Sequence, residues 1–211
     1  MKVLVTGGSR GIGKAIVNHF ENNGHYVFSP TRDQLDLNSN FLLENIEYDI
    51  VINNAGINPL KSIIDISDDQ VMQVNYNAPL QIVQQCLPYM LSKKYGRIVN
   101  IGSIWINIAK ANRLAYSASK NALHALTKAI AAEYTTQGIL ANTISPGFIE
   151  TDLTYQNNTK QEIEDMIKKV PAKRLGQPEE VAKLVYQMSV ENTFISGQNI
   201  IIDGGYSCTA N

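Results

Sequence analysis

An α/β domain on a doubly wound parallel sheet, with helices on both faces, is what this sequence predicts. Three observations predict it. Short apolar runs alternate with longer amphipathic stretches along the chain, the rhythm of parallel strands joined by crossover helices. The first run ends in a glycine-rich turn that opens a helix. The chain has 211 residues, 44% of them hydrophobic and 18% charged, which suits one globular domain spanning 1–211 with a core of its own.

The elements follow in order. Lys2–Thr6 reads as a strand. Gly11 to about Asn22 reads as a helix, with Ile12, Ala15, Ile16 and Phe20 at helical spacing and Gly24 as its stop. His25–Phe28 is a second strand. Parallel neighbours need a crossover of roughly a dozen residues, and Pro30–Gln34 cannot supply one. The fold is therefore expected to be shortened after its second strand, with Leu35-Asp36-Leu37 merely extended and Phe41–Ile46 a short helix. Asp49–Asn53 is a third strand. Ser67-Asp68-Asp69-Gln70 has the spacing of a capping box and opens a helix to about Leu91. Arg97–Gly102 reads as a buried strand and Leu114–Gln137 as a long helix whose alanines permit close packing. Ile139–Ser145 is a strand ended by Pro146-Gly147. The segment 148–170 is more polar, with a loop at Tyr155-Gln156-Asn157-Asn158 and an amphipathic helix at Lys160–Lys169. Pro178 begins a further helix as its first-turn proline, and Asn199–Asp203 supplies the last strand.

Composition excludes several roles. Eighteen basic residues against nineteen acidic ones leave a formal charge of −1, without the basic face a nucleic-acid binder needs. No apolar run approaches the ~20 residues of a membrane span. Met1-Lys2 precedes only three apolar residues, too few for a signal peptide. The two cysteines, Cys86 and Cys208, fit a thiol-reduced, cytoplasmic protein.

The chemistry concentrates in two places. In Thr6-Gly7-Gly8-Ser9-Arg10-Gly11-Ile12-Gly13, the glycines at 7, 11 and 13 allow a tight turn, close approach of backbone to a pyrophosphate and packing of helix on sheet. The helix N-terminus then offers free N–H groups to phosphates. No Gly-Lys-Ser/Thr follows, so this is not a P-loop. Farther on, Tyr116 and Lys120 stand four positions apart on one helical face. A phenol titrates ordinarily near pH ~10, and an ammonium beside it favours the phenolate. Ser103 lies at the carboxyl end of a strand, where open α/β sheets hold their ligands. No His, Cys or carboxylate spacing suggests a metal site. His19, His25 and His124 read as surface or packing residues, and Cys86 as packing. Trp105 reads equally as pocket wall or packing, and Lys110 and Arg113 as solvated loop charges rather than anion binders.

The ordered set resembles the short-chain dehydrogenase/reductase family, in its classical branch, across essentially the whole chain. It comprises the Thr6–Gly13 turn, Asn53-Asn54-Ala55-Gly56, Asn75, Ser103, Tyr116-Ser117-Ala118-Ser119-Lys120, Asn142, Pro146-Gly147 with Thr151, and Asp203-Gly204-Gly205. The run Arg174-Leu175-Gly176-Gln177-Pro178-Glu179-Glu180-Val181-Ala182 is similar to bacterial members related to 3-oxoacyl reductases. The resemblance implies a Rossmann-like fold that transfers hydride between NAD(P)(H) and a carbonyl or secondary alcohol. It implies Tyr116 as proton donor and acceptor, and Lys120 as the residue that lowers its pKa and holds the nicotinamide ribose. Ser103 would orient the carbonyl, and Asn75 would hold a water linking Lys120 to solvent. Gly7, Ser9, Arg10, Gly11, Ile12 and Gly13 would cradle the cofactor. Asn54, Ala55 and Gly56 would wall it, Asp36 and Leu37 would meet adenine, and Ile144, Pro146, Gly147, Ile149 and Thr151 would lie at the nicotinamide end.

NAD-preferring members carry an acidic residue at the end of the second strand. Phe28-Ser29-Pro30-Thr31-Arg32 has none, and Arg10 and Arg32 are expected to converge on a 2′-phosphate, which favours NADP(H) with NAD(H) possible. The segment 148–170 would form a substrate lid with Phe148, Leu153, Tyr155 and Met166 shaping the pocket. The two long helices, as family members commonly pair them, would assemble a homodimer or homotetramer. A nucleotide-sugar epimerase or dehydratase would need a larger C-terminal domain, and a silent dinucleotide-binding regulator would not need the intact Asn75/Ser103/Tyr116/Lys120 set.

Overall fold

The computed structural model describes residues 1–156 and 158–209, with Leu153 by its backbone alone. Its centre is a six-stranded, wholly parallel sheet in the order β2-β1-β3-β4-β5-β6. The strands are β1 (Lys2–Val5), β2 (Tyr26–Phe28), β3 (Ile50–Asn53), β4 (Gly96–Ile101), β5 (Ile139–Pro146) and β6 (Asn199–Ile202). β3 and β5 are buried at every residue, as strands covered on both faces must be.

Helices α1 (Gly11–Asn22) and α7 (Pro178–Tyr186) cover one face, where Ile16, Phe20, Val181 and Val185 pack on Val3, Val5 and Ile52. Helices α3 (Ala78–Lys93) and α4 (Leu114–Tyr134) cover the other, where Ile82, Met90, Leu123 and Ile130 pack on Leu4, Val51 and Ile98. Strand order reverses at β1, so β1 is flanked by β2 on one side and β3 on the other. Ligands of open α/β sheets bind in the crevice outside such a switch point.

The expected shortening after β2 is present. Residues 29–49 contain no helix and no paired strand, and β2 is a three-residue edge. Three expectations fail. Phe41–Ile46 is not helical: the Leu43 N–H donates to Gln85 Oε1 (2.8 Å) and the Phe41 carbonyl accepts from Gln85 Nε2 (3.3 Å), so side chains of α3 take backbone groups that a helix would have used. The capping box at Ser67 does not form. Ser67 Oγ donates instead to Asp69 Oδ2 at 3.5 Å, and the helical run begins at α2 (Asp69–Met72). Tyr155 and Gln156 belong to a short helix, α5 (Asp152–Gln156), rather than to a loop, while Asn157 lies outside the described residues. α6 (Lys160–Lys169) appears where expected, capped reciprocally by Thr159 and Glu162. Among the described residues no helix is long and apolar enough to cross a membrane.

Candidate active site

A cleft of about 760 Å³ runs along the carboxyl ends of β1, β3, β4 and β5. One end is built by the glycine turn. Gly7 and Gly11 have φ of +69° and +52°, a left-handed backbone that other residues adopt only at a cost. A Cβ on Gly13 would stand 2.1 Å from the Gly7 carbonyl oxygen, so only glycine lets α1 start this close to β1. The first turn of α1 has no side-chain cap and no acidic residue, which leaves its N–H groups and the positive end of its dipole to an anion.

Asn54 holds this turn in place. Its Nδ2 donates to the Thr6 carbonyl (2.9 Å) and the Gly7 carbonyl (3.1 Å), while Thr6 Oγ1 accepts from the Asn54 and Ala55 N–H groups, both at 3.1 Å. The side chain expected to wall the cofactor is thus spent on pinning β3 to the turn.

The other end holds the titratable groups. Ser103 follows β4, is buried, and accepts from the Trp105 N–H at 3.3 Å. Tyr116 and Lys120 project from the first turns of α4. Lys120 Nζ donates to the Ile101 carbonyl (2.7 Å) and lies 5.6 Å from the centroid of the Tyr116 ring. Burial pulls the Lys120 ammonium down to about 8. Burial also pushes the Tyr116 phenol above its ordinary value, outweighing Ser103 and the Arg113 guanidinium, which favour the phenolate.

Asn75 sits behind this group in a π-helical segment, Gln73–Asn77, that interrupts the run between α2 and α3. Such single π turns reorient a side chain and recur at functional sites. Here the turn buries Asn75 completely. Its Oδ1 accepts from the Ile57 N–H (2.9 Å), and its Nδ2 donates to the Ile57 carbonyl (3.0 Å) and Ser119 Oγ (3.0 Å). A Cβ on Gly56 would stand 3.2 Å from Asn75 Oδ1 and 3.5 Å from Lys120 Nζ, so Gly56 lets the two polar groups face one another.

All the residues expected to touch a cofactor except Ile144 line this one cleft: Gly7, Ser9, Arg10, Gly11, Ile12, Gly13, Arg32, Asp36, Leu37, Asn54, Ala55, Gly56, Tyr116, Lys120, Pro146, Gly147, Ile149 and Thr151. Ser103 lines it as well. Asn75 does not, and Ile144 lies in the core beneath it. Arg32 is largely exposed and reaches Asp36 at 3.8 Å, and Asp36 also accepts from the N–H and Nδ2 of Asn38. Of the lid side chains, Phe148 and Met166 line the cleft. Tyr155 is exposed and donates to Glu150 Oε1 (2.8 Å), and the side chain of Leu153 lies outside the described residues.

The 174–182 run fixes the base of the lid. Arg174 grips Glu180 through both terminal nitrogens at 2.7 Å, which holds the Glu180 carboxyl down at about 2. Gly176 exchanges backbone hydrogen bonds with Phe148 (2.9 Å) and Glu150 (2.8 Å). Trp105 takes the pocket-wall side of its two readings, and Arg113 is not the solvated loop charge expected. Trp105 is buried, lines the cleft and meets Phe148 edge to face, and Arg113 is buried in the same wall. The spacing of Arg113, three before Tyr116, was the available signal.

Comparison with known proteins agrees with this fold. A sequence profile described as enoyl-(acyl carrier protein) reductase matches residues 45–207. The 3-oxoacyl-(acyl-carrier-protein) reductase of Vibrio cholerae is 31% identical over 96% of this chain and 95% of its own. The Buchnera aphidicola protein of the same name is 32% identical over 98% and 97%. Among solved structures, a protein from Beutenbergia cavernae, provisionally described as an NAD(P)-dependent gluconate 5-dehydrogenase with bound NADP, superposes with a TM-score of 0.90 at 27% identity, covering 99% of this chain and 97% of that one. A 4-hydroxyisoleucine dehydrogenase variant complexed with NADH and succinate gives a TM-score of 0.88 at 30% identity over the whole of both chains. These relatives and neighbours are named as reductases and dehydrogenases, and the two neighbours carry NADP or NADH. Fold, ordered motifs and relatives converge: this chain belongs to the short-chain dehydrogenase/reductase family.

Proposed function

We propose that this protein is an NAD(P)(H)-dependent oxidoreductase for a carbonyl/secondary-alcohol pair, the bound nicotinamide supplying or accepting the hydride. One observation carries the reading: Ser103, Tyr116 and Lys120 open into the same cleft as the uncapped N-terminus of α1. The glycine cradle fits a pyrophosphate, because a Cβ at Gly13 would fill the space that brings backbone to the ligand. Gly7, Ser9, Gly11 and Ile12 would hold that group, Asp36 and Leu37 the adenine end, and Pro146, Gly147, Ile149 and Thr151 the nicotinamide end.

In the reductive direction the Ser103 hydroxyl donates to the carbonyl oxygen and orients it. The Tyr116 hydroxyl gives that oxygen its proton, leaving a phenolate. The Lys120 ammonium stabilises the phenolate and holds a ribose hydroxyl. Asn75 fixes the Ile57 backbone beside Lys120, where a water can return the proton to Tyr116. No metal is required, since the hydroxyl pair polarises the carbonyl. In the oxidative direction each proton moves the opposite way.

NADP(H) is the favoured cofactor in this reading. Arg10 and Arg32 both line the cleft, and residues 28–32 hold no carboxylate to take a ribose 2′-OH. The Arg32–Asp36 contact is an exposed ion pair, weak enough for a 2′-phosphate to replace. The catalytic domain is a single unit with 148–170 as its lid, the substrate is a small molecule, and both cysteines are free thiols, in keeping with the cytoplasm. Association into a homodimer or homotetramer is supported by α4, whose Ala118, Ala125, Ala129 and Ala132 are exposed rather than turned to the sheet. Light scattering at micromolar concentration tests this, and a 23.3 kDa species would refute it.

The functional test is cofactor absorbance across a panel of ketones and secondary alcohols with the purified protein. Turnover of at least one carbonyl/alcohol pair is expected. Cofactor binding without any turnover would favour a silent dinucleotide binder.

A further inference from the structure

Four of the five arginines have an evident use or are solvated. Arg10 is exposed, Arg32 pairs with Asp36, and Arg174 grips Glu180. Arg97 donates to the Gly96 and Gly138 carbonyls and lies over the Tyr95 ring. Arg113 is different. Its exposure is only 8%, and among the described residues it makes no ion pair and no side-chain hydrogen bond, yet it lines the cleft. Burying a charged group without a partner is costly, so such groups are ordinarily paired.

The surroundings share its sign. Lys110 lies 5.8 Å from the Trp105 ring, and burial, with the positive charges of Arg113 and Lys169, holds its ammonium below the ordinary value. The acidic group that faces Lys110 is Glu162, whose carboxylate accepts from the Thr159 N–H (2.7 Å) and hydroxyl (2.9 Å). The mouth between the 107–113 loop and α6 is therefore cationic, while Trp105, Phe148 and Met166 make the floor beside Arg113 apolar.

We propose that the substrate is a short oxo acid or hydroxy acid, and that Arg113 binds its carboxylate inside the cleft. This rests on the carbonyl/alcohol reading above and adds the substrate class. Arg113 precedes Tyr116 by three positions at the start of α4, so the guanidinium and the phenol rise from one helical turn. A carboxylate held there lies within a few bonds of a carbonyl held by Ser103 and Tyr116. The guanidinium fork matches a carboxylate, and the low-dielectric wall strengthens the pair. A phosphate on a long carrier arm carries the same charge, but the site's depth beside Tyr116 favours a short acid. The positive field of Lys110 and Lys169 steers the anion inward and makes capture salt-dependent.

The test compares the wild type with Arg113→Gln and Arg113→Lys on acetoacetate and levulinate, on their methyl esters, on neutral ketones, and on acetoacetyl-coenzyme A. The wild type is expected to use the free acids at least tenfold more efficiently than the esters. Arg113→Gln should lower the acid-to-ester ratio of kcat/KM at least tenfold, chiefly through KM, with partial recovery in Arg113→Lys. A purely structural role would lower acids and esters together and leave the ratio alone. Should the variants fold poorly, competition in the wild type decides: glutarate inhibits levulinate reduction competitively, and dimethyl glutarate does not. Equal use of acids and esters, equal inhibition by both, or dependence on Arg113 confined to the coenzyme A thioester would overturn the inference while the oxidoreductase reading stands. A wild type that oxidises its cofactor with no compound of the panel, charged or neutral, would sink both.

Discussion

Lys120 Nζ lies 5.6 Å from the centroid of the Tyr116 ring and donates to the Ile101 carbonyl at 2.7 Å, so one backbone carbonyl of β4 aims the ammonium toward the phenol. The pair stands one turn apart on α4, and its geometry is set by the strand beneath rather than by contacts within the helix. Lys120 is 3% exposed and forms no ion pair among the described residues, and such a charge weakens the free protein.

That cost should appear as a pH dependence. Burial holds Lys120 near 8, below its unfolded value. Between that value and the unfolded value near 10.5 the unfolded chain keeps a proton that the folded one has lost, so stability rises with pH there. One titrating group can add at most about 1.4 kcal/mol per pH unit. Thermal unfolding of wild type and Lys120→Met, without cofactor, should show the wild type gaining relative to the variant as pH rises from 8 toward 10. A difference independent of pH would mean that Lys120 titrates normally.

The glycine cradle predicts a sharp contrast. In Gly13→Ala the new methyl meets the Gly7 carbonyl oxygen at 2.1 Å, a backbone atom that cannot move alone. We expect a loss of about 1–3 kcal/mol, as for overpacking, together with at least a tenfold weaker cofactor Kd. Gly24→Ala is the control. Its φ of +77° makes alanine strained, but nothing lies within 4 Å, so stability falls while cofactor affinity holds. Equal cofactor affinity in Gly13→Ala and wild type would show that the turn does not cradle phosphate.

Cofactor preference is read from two arginines. The wild type should prefer NADPH to NADH by at least tenfold in kcat/KM, and replacing Arg10 and Arg32 together by alanine should erase most of that preference. Equal efficiency with NADH in the wild type would mean that Arg32 serves only its contact with Asp36.

How far the sequence revealed this molecule depends on where each backbone group finds its partner. The long amphipathic helices and the fully apolar strands were legible, because periodicity alone sets their faces. The shortened link after β2 was legible from residue count. Phe41–Ile46 was not, because its hydrogen bonds come from Gln81 and Gln85 on α3, distant in sequence. The cap at Ser67 failed because Ser67 turned to Asp69, a local competition that the spacing cannot decide. In the site, the residues that line the cleft were legible from ordered motifs. Asn54 holds the glycine turn through both its backbone N–H and its side chain, and that task shows only in the fold. Arg113 was passed over because a loop arginine is ordinarily solvated, and only the cleft wall buries it.

The central claim, that Tyr116 carries the proton, is tested most directly by Tyr116→Phe under conditions where hydride transfer limits the rate. The variant keeps the ring and loses one hydroxyl, so cofactor affinity should stay within about threefold while turnover falls ~10²–10⁴-fold, the usual contribution of a general acid or base. A variant that keeps more than a tenth of wild-type turnover would contradict the account.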